Sequence, residues 1–295
     1  MSRILFLLAD AKAAHNDNHQ RLPAGFRNAG WEVSCAPHSS LVLANGTLLC
    51  AAGPLLEYDR IWPLGFGEQA TFFDRMQLLE QIPQDRLVTT VEALLLLHGK
   101  FRWQAYMPET FVSNDSGYLL AQTGRSADWV IKPTAGSYGR EVYRLRPGID
   151  QQATLAHIEQ LTSNGRYAML QRYLPEIESG EKRVLFAGGL LLGAYLRRPS
   201  TAPPETSQQA VVPLANLAAG GTASLTTLAA EETTLAQKVA NELLAKGVGF
   251  AAIDLVHPYL MEVNIANPGG LGTLAMLTGK DPSAEVVNAL VDLWL

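Results

Sequence analysis

Three oxygen-bearing side chains near the C-terminus are candidates for binding one metal ion. Asp254 begins the run Asp-Leu-Val-His-Pro-Tyr-Leu-Met-Glu-Val-Asn, which also contains Glu262 and Asn264. A tight turn at His257-Pro258 predicts two paired strands with Asp254 opposite Glu262. Glu262 and Asn264 then share one face, because strand side chains alternate. Hard oxygen ligands suit magnesium, although a hairpin with polar residues on its solvated face accounts for the same spacing.

A lysine in an apolar strand, followed by a loop with two glycines, indicates phosphate binding. Lys132 lies in the run Trp-Val-Ile-Lys-Pro, and Gly136-Ser-Tyr-Gly139 follows it. A buried lysine needs a negative partner, and glycine lets backbone N–H groups approach phosphate oxygens. The spacing matches neither a Walker loop nor a dinucleotide fingerprint. The pattern predicts a triphosphate site of another kind, with an edge-strand lysine that reaches water as the alternative.

Two arginines are candidates for holding a carboxylate or a migrating phosphoryl group. Arg183 follows Gly180-Glu-Lys, and Arg198 ends the apolar run after the turn at Gly188-Gly189. We expect the two guanidinium groups to lie close across the resulting hairpin, where such a pair would suit an anion. An ordinary surface ladder of ion pairs is the alternative.

The composition and the other motifs argue against several other classes of protein and of functional site. Cys35 and Cys50 have neither zinc nor redox spacing, which indicates a reduced, cytoplasmic protein. The net charge of -5 argues against a nucleic-acid partner. The N-terminal apolar run is too short for a membrane span and predicts a buried strand, so we expect no membrane partner. His15 and His19 lack a third zinc ligand, and a nucleophile elbow is missing.

The elements that must position these residues fall into two parts. In the first hundred residues, strands are predicted at 3–9, 31–36, 59–64 and 86–90, helices at 19–29 and 72–81, and a hairpin at 41–49 around Asn45-Gly46. This alternation predicts a largely parallel sheet. After Lys100, strands at 129–133, 143–145, 167–173, 182–187 and 190–197 predict an antiparallel sheet crossed by a helix at 151–161. A helix at 231–246, strands at 249–256 and 259–265, and a helix from Ser283 complete the chain.

The order of these motifs resembles that of bacterial glutathione synthetase, an ATP-grasp ligase. The lysine strand and glycine loop are followed by Gln171-Arg-Tyr-Leu-Pro, Gly180-Glu-Lys-Arg-Val, Asn216-Leu-Ala-Ala-Gly-Gly and the run from Asp254 to Asn264. The resemblance covers about residues 86 to 295. It implies an α/β ATP-grasp fold built from α+β subdomains. The implied parts are an N-terminal βαβ domain (1–100), a small central subdomain with the glycine loop (101–172), and a C-terminal antiparallel subdomain with metal site and lid (173–295).

The resemblance also implies roles for individual residues. Contacts to ATP are implied for Lys100, Lys132, Gly136, Ser137, Tyr138, Gly139, Gln171, Tyr173, Leu174 and Glu181. Magnesium ligands are implied at Asp254, Glu262 and Asn264, and substrate contacts at Arg183, Asn216, Gly220, Gly221, Gly269 and Gly270. Arg198, Arg183 and Lys132 are the implied catalytic groups. The implied cofactors are ATP and one or two Mg²⁺ ions, with Mn²⁺ as a substitute.

The implied reaction joins a carboxylate to an amine through an acyl phosphate, in the parent case γ-glutamylcysteine to glycine. The family's lid carries arginines around its Asn-Leu-Ala-Ala-Gly-Gly core, whereas Leu214 and Thr222 flank it here. A different peptide or amino-acid acceptor, as in the related glutamate ligases, therefore stays open, as does a non-catalytic nucleotide-binding regulator. The expected partners are small-molecule peptide and amino-acid substrates and, by analogy, further copies of the chain in a dimer or tetramer.

Overall fold

The structure is a computed structural model that describes residues 1–9, 16–98, 100–124, 127–134, 141–146, 151–199 and 220–294. Within these ranges the chain forms fifteen strands and eight α-helices, joined in places by short 3-10 helices. Four sheets result, two in the first third of the chain and two in the rest.

The N-terminal sheet is parallel, as the alternation of strands and helices predicts. It contains β1 (Arg3–Leu8), β2 (Glu32–Pro37) and β6 (Arg60–Leu64), in the order β2-β1-β6. The first helix, α1 (Asn18–Asn28), connects β1 to β2 and buries Leu22 and Phe26. Gly30, just beyond this helix, has a positive φ of 82°, which explains why the helix stops there.

A small antiparallel sheet follows β2. Its strands are β3 (Val42–Ala44), β4 (Thr47–Cys50) and β5 (Gly53–Pro54). Asn45 and Gly46 connect β3 to β4 with φ values of 50° and 80°, the two positive angles that a type I′ turn requires. Helices α2 (Phe72–Leu79) and α3 (Val91–Leu96) lie after β6.

The central sheet is antiparallel and has its own hydrophobic core. It contains β7 (Thr110–Ser113), β8 (Trp129–Pro133), β9 (Tyr143–Leu145) and β10 (Ala168–Arg172), in the order β7-β10-β8-β9. Helices α4 (Ser116–Thr123) and α5 (Gln151–Thr162) contact each other and this sheet. The core includes Trp129, Ile131, Ile158 and Leu170.

The C-terminal sheet has five antiparallel strands and supplies most of the candidate site. Its strands are β11 (Glu181–Ala187), β12 (Leu190–Arg198), β13 (Thr222–Leu225), β14 (Phe250–Val256) and β15 (Tyr259–Asn264), in the order β13-β12-β11-β14-β15. Helices α6 (Ala230–Ala245), α7 (Leu271–Thr278) and α8 (Ser283–Trp294) complete this part.

One core joins the N-terminal parallel sheet to the C-terminal sheet. Phe6 and Trp62 of the parallel sheet stack at 5.4 Å, and Trp62 also meets Phe250 of β14 edge-on at 5.9 Å. Trp294 of α8 stacks on Phe26 of α1 at 6.0 Å. These contacts fix the parallel sheet relative to the strands that carry the candidate site.

One predicted strand is wrong. Residues 86–90 were expected to form a strand, yet Leu87 and Thr89 make only isolated bridges, to Ile61 and Val248 respectively. One bridge reaches β6 of the parallel sheet, and the other reaches Val248, which precedes β14. In the part of the chain that the structure describes, no helix is long and apolar enough to cross a membrane.

Candidate functional site

The three candidate metal ligands lie on the edge pair of strands β14 and β15. The register places Asp254 opposite Glu262, as the sequence predicts, and Ala252 opposite Asn264. Every residue of β14 is buried, including Asp254. The Asp254 side chain is 1% exposed, whereas that of Glu262 is 35% exposed. The site thus combines one buried carboxylate with one that opens toward solvent.

Arg183 binds Asp254 through two parallel hydrogen bonds. Its Nε donates to Oδ1 at 2.8 Å and its Nη2 donates to Oδ2 at 2.7 Å. β11 and β14 are neighbours and their register pairs these two residues directly. Burial alone would raise the pKa of Asp254, but the charges and hydrogen bonds of Arg183 and Arg197 lower it below its ordinary value. Asp254 is therefore ionised at neutral pH.

Arg197 joins the same network from β12. Its Nη2 lies 2.8 Å from Asp254 Oδ2 and 2.5 Å from Glu181 Oε1. Burial raises the pKa of Glu181 and outweighs the opposing charge of Arg197. The network therefore links two carboxylates to two guanidinium groups in a site with little access to water.

Arg198 has a different environment from its neighbour. The register pairs Arg183 with Tyr195 and Glu181 with Arg197, so Arg198 is not the residue beside Arg183. Its side chain is exposed, and Nη1 donates to Ser224 Oγ at 3.2 Å. The expectation that Arg183 and Arg198 lie side by side is wrong in this structure, because alternate strand residues point to opposite faces.

Lys132 is half-buried in the central sheet and contacts Gln171. Its Nζ donates to Gln171 Oε1 at 2.8 Å, and Gln171 Nε2 donates to Thr110 Oγ1 at 2.9 Å. Burial, with a further effect from Lys100, lowers the pKa of Lys132 to about 7, although Glu262 and Glu181 oppose the shift. The Gln171 amide oxygen carries no full charge, so an anionic group that entered the site would favour the protonated form of Lys132.

Lys100 connects the central region to the metal strand. Its Nζ lies 3.5 Å from Glu262 Oε1. His98, two residues earlier, accepts the Ile265 backbone N–H at its Nδ1, at 3.3 Å. Burial is the main cause that lowers the pKa of His98, so the ring is neutral at pH 7. These contacts place Lys100 beside the metal strand, and Lys132 is near enough to Lys100 and Glu262 for both charges to affect its pKa.

Tyr173 and Leu174 follow β10 and are buried, as a pocket-lining segment requires. The Tyr173 hydroxyl donates to Glu178 Oε1 at 2.8 Å, and the Arg144 guanidinium lies 3.6 Å above the tyrosine ring. Burial, reinforced by that hydrogen bond, raises the pKa of Tyr173 to about 12. Glu178 thus fixes the hydroxyl of Tyr173, and Arg144 covers a face of its ring.

The predicted substrate-binding glycines are only partly described. Arg183 Nη1 donates to the Gly269 carbonyl at 3.2 Å, which places this segment next to Asp254. Gly270 has φ +136°, and a Cβ there would lie 2.9 Å from the Tyr195 hydroxyl oxygen. Gly220 and Gly221 lie immediately before β13. Gly136, Ser137, Tyr138, Gly139 and Asn216 lie outside the described residues.

The sequence analysis did not identify two residues of the site, Arg197 and Thr110. The doubled Arg197-Arg198 was a signal, but the choice between the two depends on strand phase. Thr110 had no signal, because threonine is common in strands and its hydroxyl becomes informative only when Gln171 is seen beside it.

The donor set of the carboxylate pair fits a magnesium ion. Asp254 uses three lone-pair positions for its two arginines, and a carboxylate offers about four. Asn264 would bind the ion through its amide oxygen, whereas its Nδ2, a hydrogen-bond donor, is buried without a partner in the described ranges. No group of three or more His, Cys, Asp or Glu side chains arranged to hold a metal ion occurs in these ranges. A sparse protein shell suits magnesium, which commonly completes its coordination with water and substrate phosphates.

Solved structures with the same architecture define the class. The crystal structure of the D-cycloserine synthetase DcsG matches with a TM-score of 0.72 and 18% identity, over 98% of this chain and 99% of that one. The ATP-grasp ligase PsnB, complexed with a phosphomimetic precursor variant, Mg and ADP, matches with a TM-score of 0.67 and 12% identity, over 100% and 99%. The fold is therefore the ATP-grasp fold.

Sequence comparison gives the family. The family described as prokaryotic glutathione synthetase, ATP-grasp domain, matches residues 96–279, and the chain belongs to it. The glutathione synthetase of Prochlorococcus marinus subsp. pastoris is 29% identical over 196 residues. That alignment covers 66% of this chain and 60% of the relative, so the matched part is less than two thirds of the relative's length.

Proposed function

We propose that the protein is an ATP- and magnesium-dependent ligase that joins a carboxylate to an amine through an acyl phosphate. The observation that carries the proposal is the convergence of Lys100, Lys132, Arg183 and the Asp254–Glu262 pair in one space between two antiparallel sheets. Membership of the glutathione synthetase ATP-grasp family supports the same reading. The parent reaction would be γ-glutamylcysteine plus glycine plus ATP, which gives glutathione, ADP and phosphate.

In the first step, a substrate carboxylate oxygen attacks the γ-phosphorus of ATP and the bond to the β-phosphate oxygen breaks, which releases ADP. Lys132, which contacts Gln171, and Lys100, which lies near Glu262, would bind the phosphate oxygens. Such fixed cations stabilise the charge that develops on the transferred group. When bound, magnesium would neutralise phosphate charge, held by Glu262 and Asn264 with Asp254 beside them.

In the second step, the amine attacks the acyl carbon, loses a proton and displaces phosphate. We propose that Arg183 holds a substrate carboxylate through the N–H groups that it does not use for Asp254 and the Gly269 carbonyl. We propose that Arg198, or Arg197 in its place, acts next to the migrating phosphoryl group. The nucleotide base would lie against Tyr173 and Leu174, with Glu181 toward the ribose. Gly136 to Gly139, Asn216, Gly220 and Gly221 would cover the phosphates and substrate, which protects the acyl phosphate from water.

We also propose the metal requirement, the cellular compartment, the subdomains and the assembly of the protein. Mn²⁺ should substitute for Mg²⁺, and the metal count would be one or two. Both cysteines are free, which fits a reducing cytoplasm. We propose the division at residues 1–100, 101–172 and 173–295 as functional subdomains, and a homodimer or homotetramer as the assembly. Small peptides and amino acids would be the partners.

ADP release tests the proposal. The purified chain is assayed with Mg²⁺, ATP, γ-glutamylcysteine and glycine, with each component omitted in turn as the control. We expect ADP release only in the complete mixture. A panel of other dipeptides and amino acids follows, since the lid departs from the family pattern. Release with a different pair would replace glutathione as the product, as in a glutamate-ligase-like enzyme. Tight ATP binding with no release for any pair would instead support a non-catalytic regulator.

A further inference from the structure

A second cavity lies at the carboxyl end of the N-terminal parallel sheet, apart from the nucleotide site. Its volume is about 500 Å³, and its lining includes Leu8, Pro37, His38, Gly67, Glu68 and Arg75. The chain runs from central strand β1 to β2 on one side and later to β6 on the other, so this is a topological switch point. Open sheets of this kind bind ligands at such points, beyond the carboxyl ends of their strands.

His38 is buried in this cavity beside the backbones of Leu64 and Gly65. The residue is 3% exposed, and neither ring nitrogen forms a hydrogen bond of good geometry within the described ranges, although these two backbones lie close to the ring. Burial, with a smaller effect from Arg75, lowers the pKa of His38 to about 4, although the nearby Leu64 and Gly65 backbones oppose the shift. The ring is therefore neutral at pH 7 and offers one N–H donor and one acceptor.

Arg75 brings a cation to the same cavity. It is 4% exposed, its Nε donates to Thr71 Oγ1 at 3.3 Å, and its Nη2 donates to the Glu68 carbonyl at 2.5 Å. Nη1 has no partner in the part of the chain that the structure describes. A Cβ at Gly67 would lie 2.3 Å from Nη1, so glycine is needed to let the guanidinium lie there. Burial lowers the pKa of Arg75 and the charge of Glu68 offsets this only in part, which favours an anionic ligand that would complete the balance.

We propose that this His38–Arg75 cavity binds an α-amino-acid head group, a carboxylate and an ammonium on one carbon. Arg75 Nη1 and the His38 N–H would bind the carboxylate. The acceptor nitrogen of His38 and the exposed Glu68 side chain would bind the ammonium. The volume is within the range of small-molecule sites. The assignment rests on the proposed ligase function, in which the head group is the end of the donor substrate remote from its reacting carboxylate.

Contacts connect the cavity to the candidate active site. The Gly65 backbone N–H donates to the Ala266 carbonyl at 2.8 Å, just beyond the metal strand. Phe66, next to the cavity residue Gly67, packs edge-on against His98 at 4.5 Å. The segment after Ala266 continues to Gly269, whose carbonyl binds Arg183. A substrate held by its head group in the cavity would extend along this segment toward Asp254.

Binding of matched probes tests the assignment without turnover. Calorimetry on the full chain, without ATP, compares γ-glutamylcysteine with two analogues. N-glutarylcysteine lacks the head-group ammonium, and N-(4-aminobutanoyl)cysteine lacks the head-group carboxylate. We expect each analogue to bind the wild type about tenfold or more weakly, because one charge-assisted hydrogen bond is lost. Equal binding of all three, or binding of none, would overturn the proposal.

Variants then locate the recognition. Arg75→Gln and Arg75→Lys should reduce discrimination against the analogue without a carboxylate, and Glu68→Gln should do so against the analogue without an ammonium. Arg86→Gln and Glu80→Gln are matched controls outside the cavity. Variants that keep the full wild-type preference, or lose affinity equally for all three probes, would overturn the assignment. If Arg75→Gln does not fold in a thermal unfolding assay, the exposed Glu68→Gln variant decides.

The two proposals fail in different ways. One outcome is ADP release from γ-glutamylcysteine and glycine together with an unchanged head-group preference in the cavity variants. It would support the proposed ligase function and contradict the proposed head-group site. The other outcome is a head-group preference that changes in the Arg75 and Glu68 variants, with no ADP release from any substrate pair. It would support the proposed head-group site and contradict the proposed ligase function.

Discussion

Arg183 and Asp254 are paired across neighbouring strands by two hydrogen bonds of 2.8 and 2.7 Å, and both side chains are largely withdrawn from water. Asp254 also lies 2.8 Å from Arg197, so one carboxylate balances two guanidinium groups. This relationship has consequences for stability as well as for chemistry, because an unbalanced charge in this position would have few other partners.

Replacement of Asp254 should destabilise the whole chain. Asp254→Asn leaves Arg183 and Arg197 without their shared counter-charge, and loss of one partner of a buried pair costs about 3–5 kcal/mol. Urea unfolding followed by circular dichroism would measure the change. Glu262→Gln is the matched control, since Glu262 is one third exposed and its ion pair with Lys100 is long, at 3.5 Å. Equal stability of the two variants would contradict the prediction.

Substitution of the two adjacent arginines on β12 should change the free energy of unfolding by different amounts. Arg197→Gln removes a buried cation from Asp254 and Glu181, so we expect a loss of about 3 kcal/mol or more. Arg198→Gln should change the free energy of unfolding by less than about 0.5 kcal/mol, because its side chain is exposed. ADP release measured on both folded variants would show which arginine acts in the reaction. A severe loss of stability in Arg198→Gln would contradict the geometry.

Lys132 should make stability depend on pH. Its pKa in the folded chain is lowered to about 7 from 10.5, so between these values the unfolded chain binds more protons. The free energy of unfolding should therefore rise as pH increases from about 7 to about 10.5. Denaturant unfolding at a series of pH values measures this slope. Lys132→Met should lack this contribution, and an identical slope in both proteins would refute the assignment.

Nucleotide binding should also return a proton to Lys132. Phosphate oxygens near its Nζ would favour the charged form and raise the pKa of Lys132 again. At pH 8 we expect binding of ATP with Mg²⁺ to take up a proton, in part or whole. Calorimetry in buffers with different ionisation enthalpies gives the number of protons, with Lys132→Met as the control. Proton release, or no difference between the proteins, would contradict the model of a phosphate-binding lysine.

Glu262 should control the metal requirement. Glu262→Gln keeps the shape of the side chain but removes a charge from the magnesium ligands, so ADP release should need a higher Mg²⁺ concentration. Titration of activity against Mg²⁺ measures the shift, with Glu231→Gln, at an exposed position, as the control. Full turnover by Glu262→Gln at the wild-type Mg²⁺ concentration would eliminate Glu262 as a ligand.

Much of the fold follows from local patterns, and the misses have physical causes. The parallel and antiparallel parts, the Asn45-Gly46 turn and the Asp254–Glu262 pairing were predictable because they depend on alternation and turn chemistry over a few residues. Residues 86–90 were apolar enough for a strand, but pairing depends on distant partners, and only single bridges form.

The choice between Arg197 and Arg198 was beyond prediction for a similar reason. A bulge between Leu185 and Phe186 shifts the register of β11 and β12 by one residue. Without it, counting back from the Gly188-Gly189 turn would put Arg198, rather than Arg197, on the face of Arg183. One inserted residue therefore decides which arginine reaches Asp254, and no local pattern marks the bulge.

The hydrogen bond from Gly65 to Ala266 bears on how this protein could be re-engineered. The family match begins at residue 96, so the first part of the chain is a natural unit to exchange among relatives. That unit contributes a backbone donor to the segment beyond the metal strand and aromatic side chains to the shared core. A chimera would therefore need to preserve the docking of this segment as well as the junction in the sequence. The preference for a donor substrate would then depend on the interface between the two parts of the chimera rather than on either part alone.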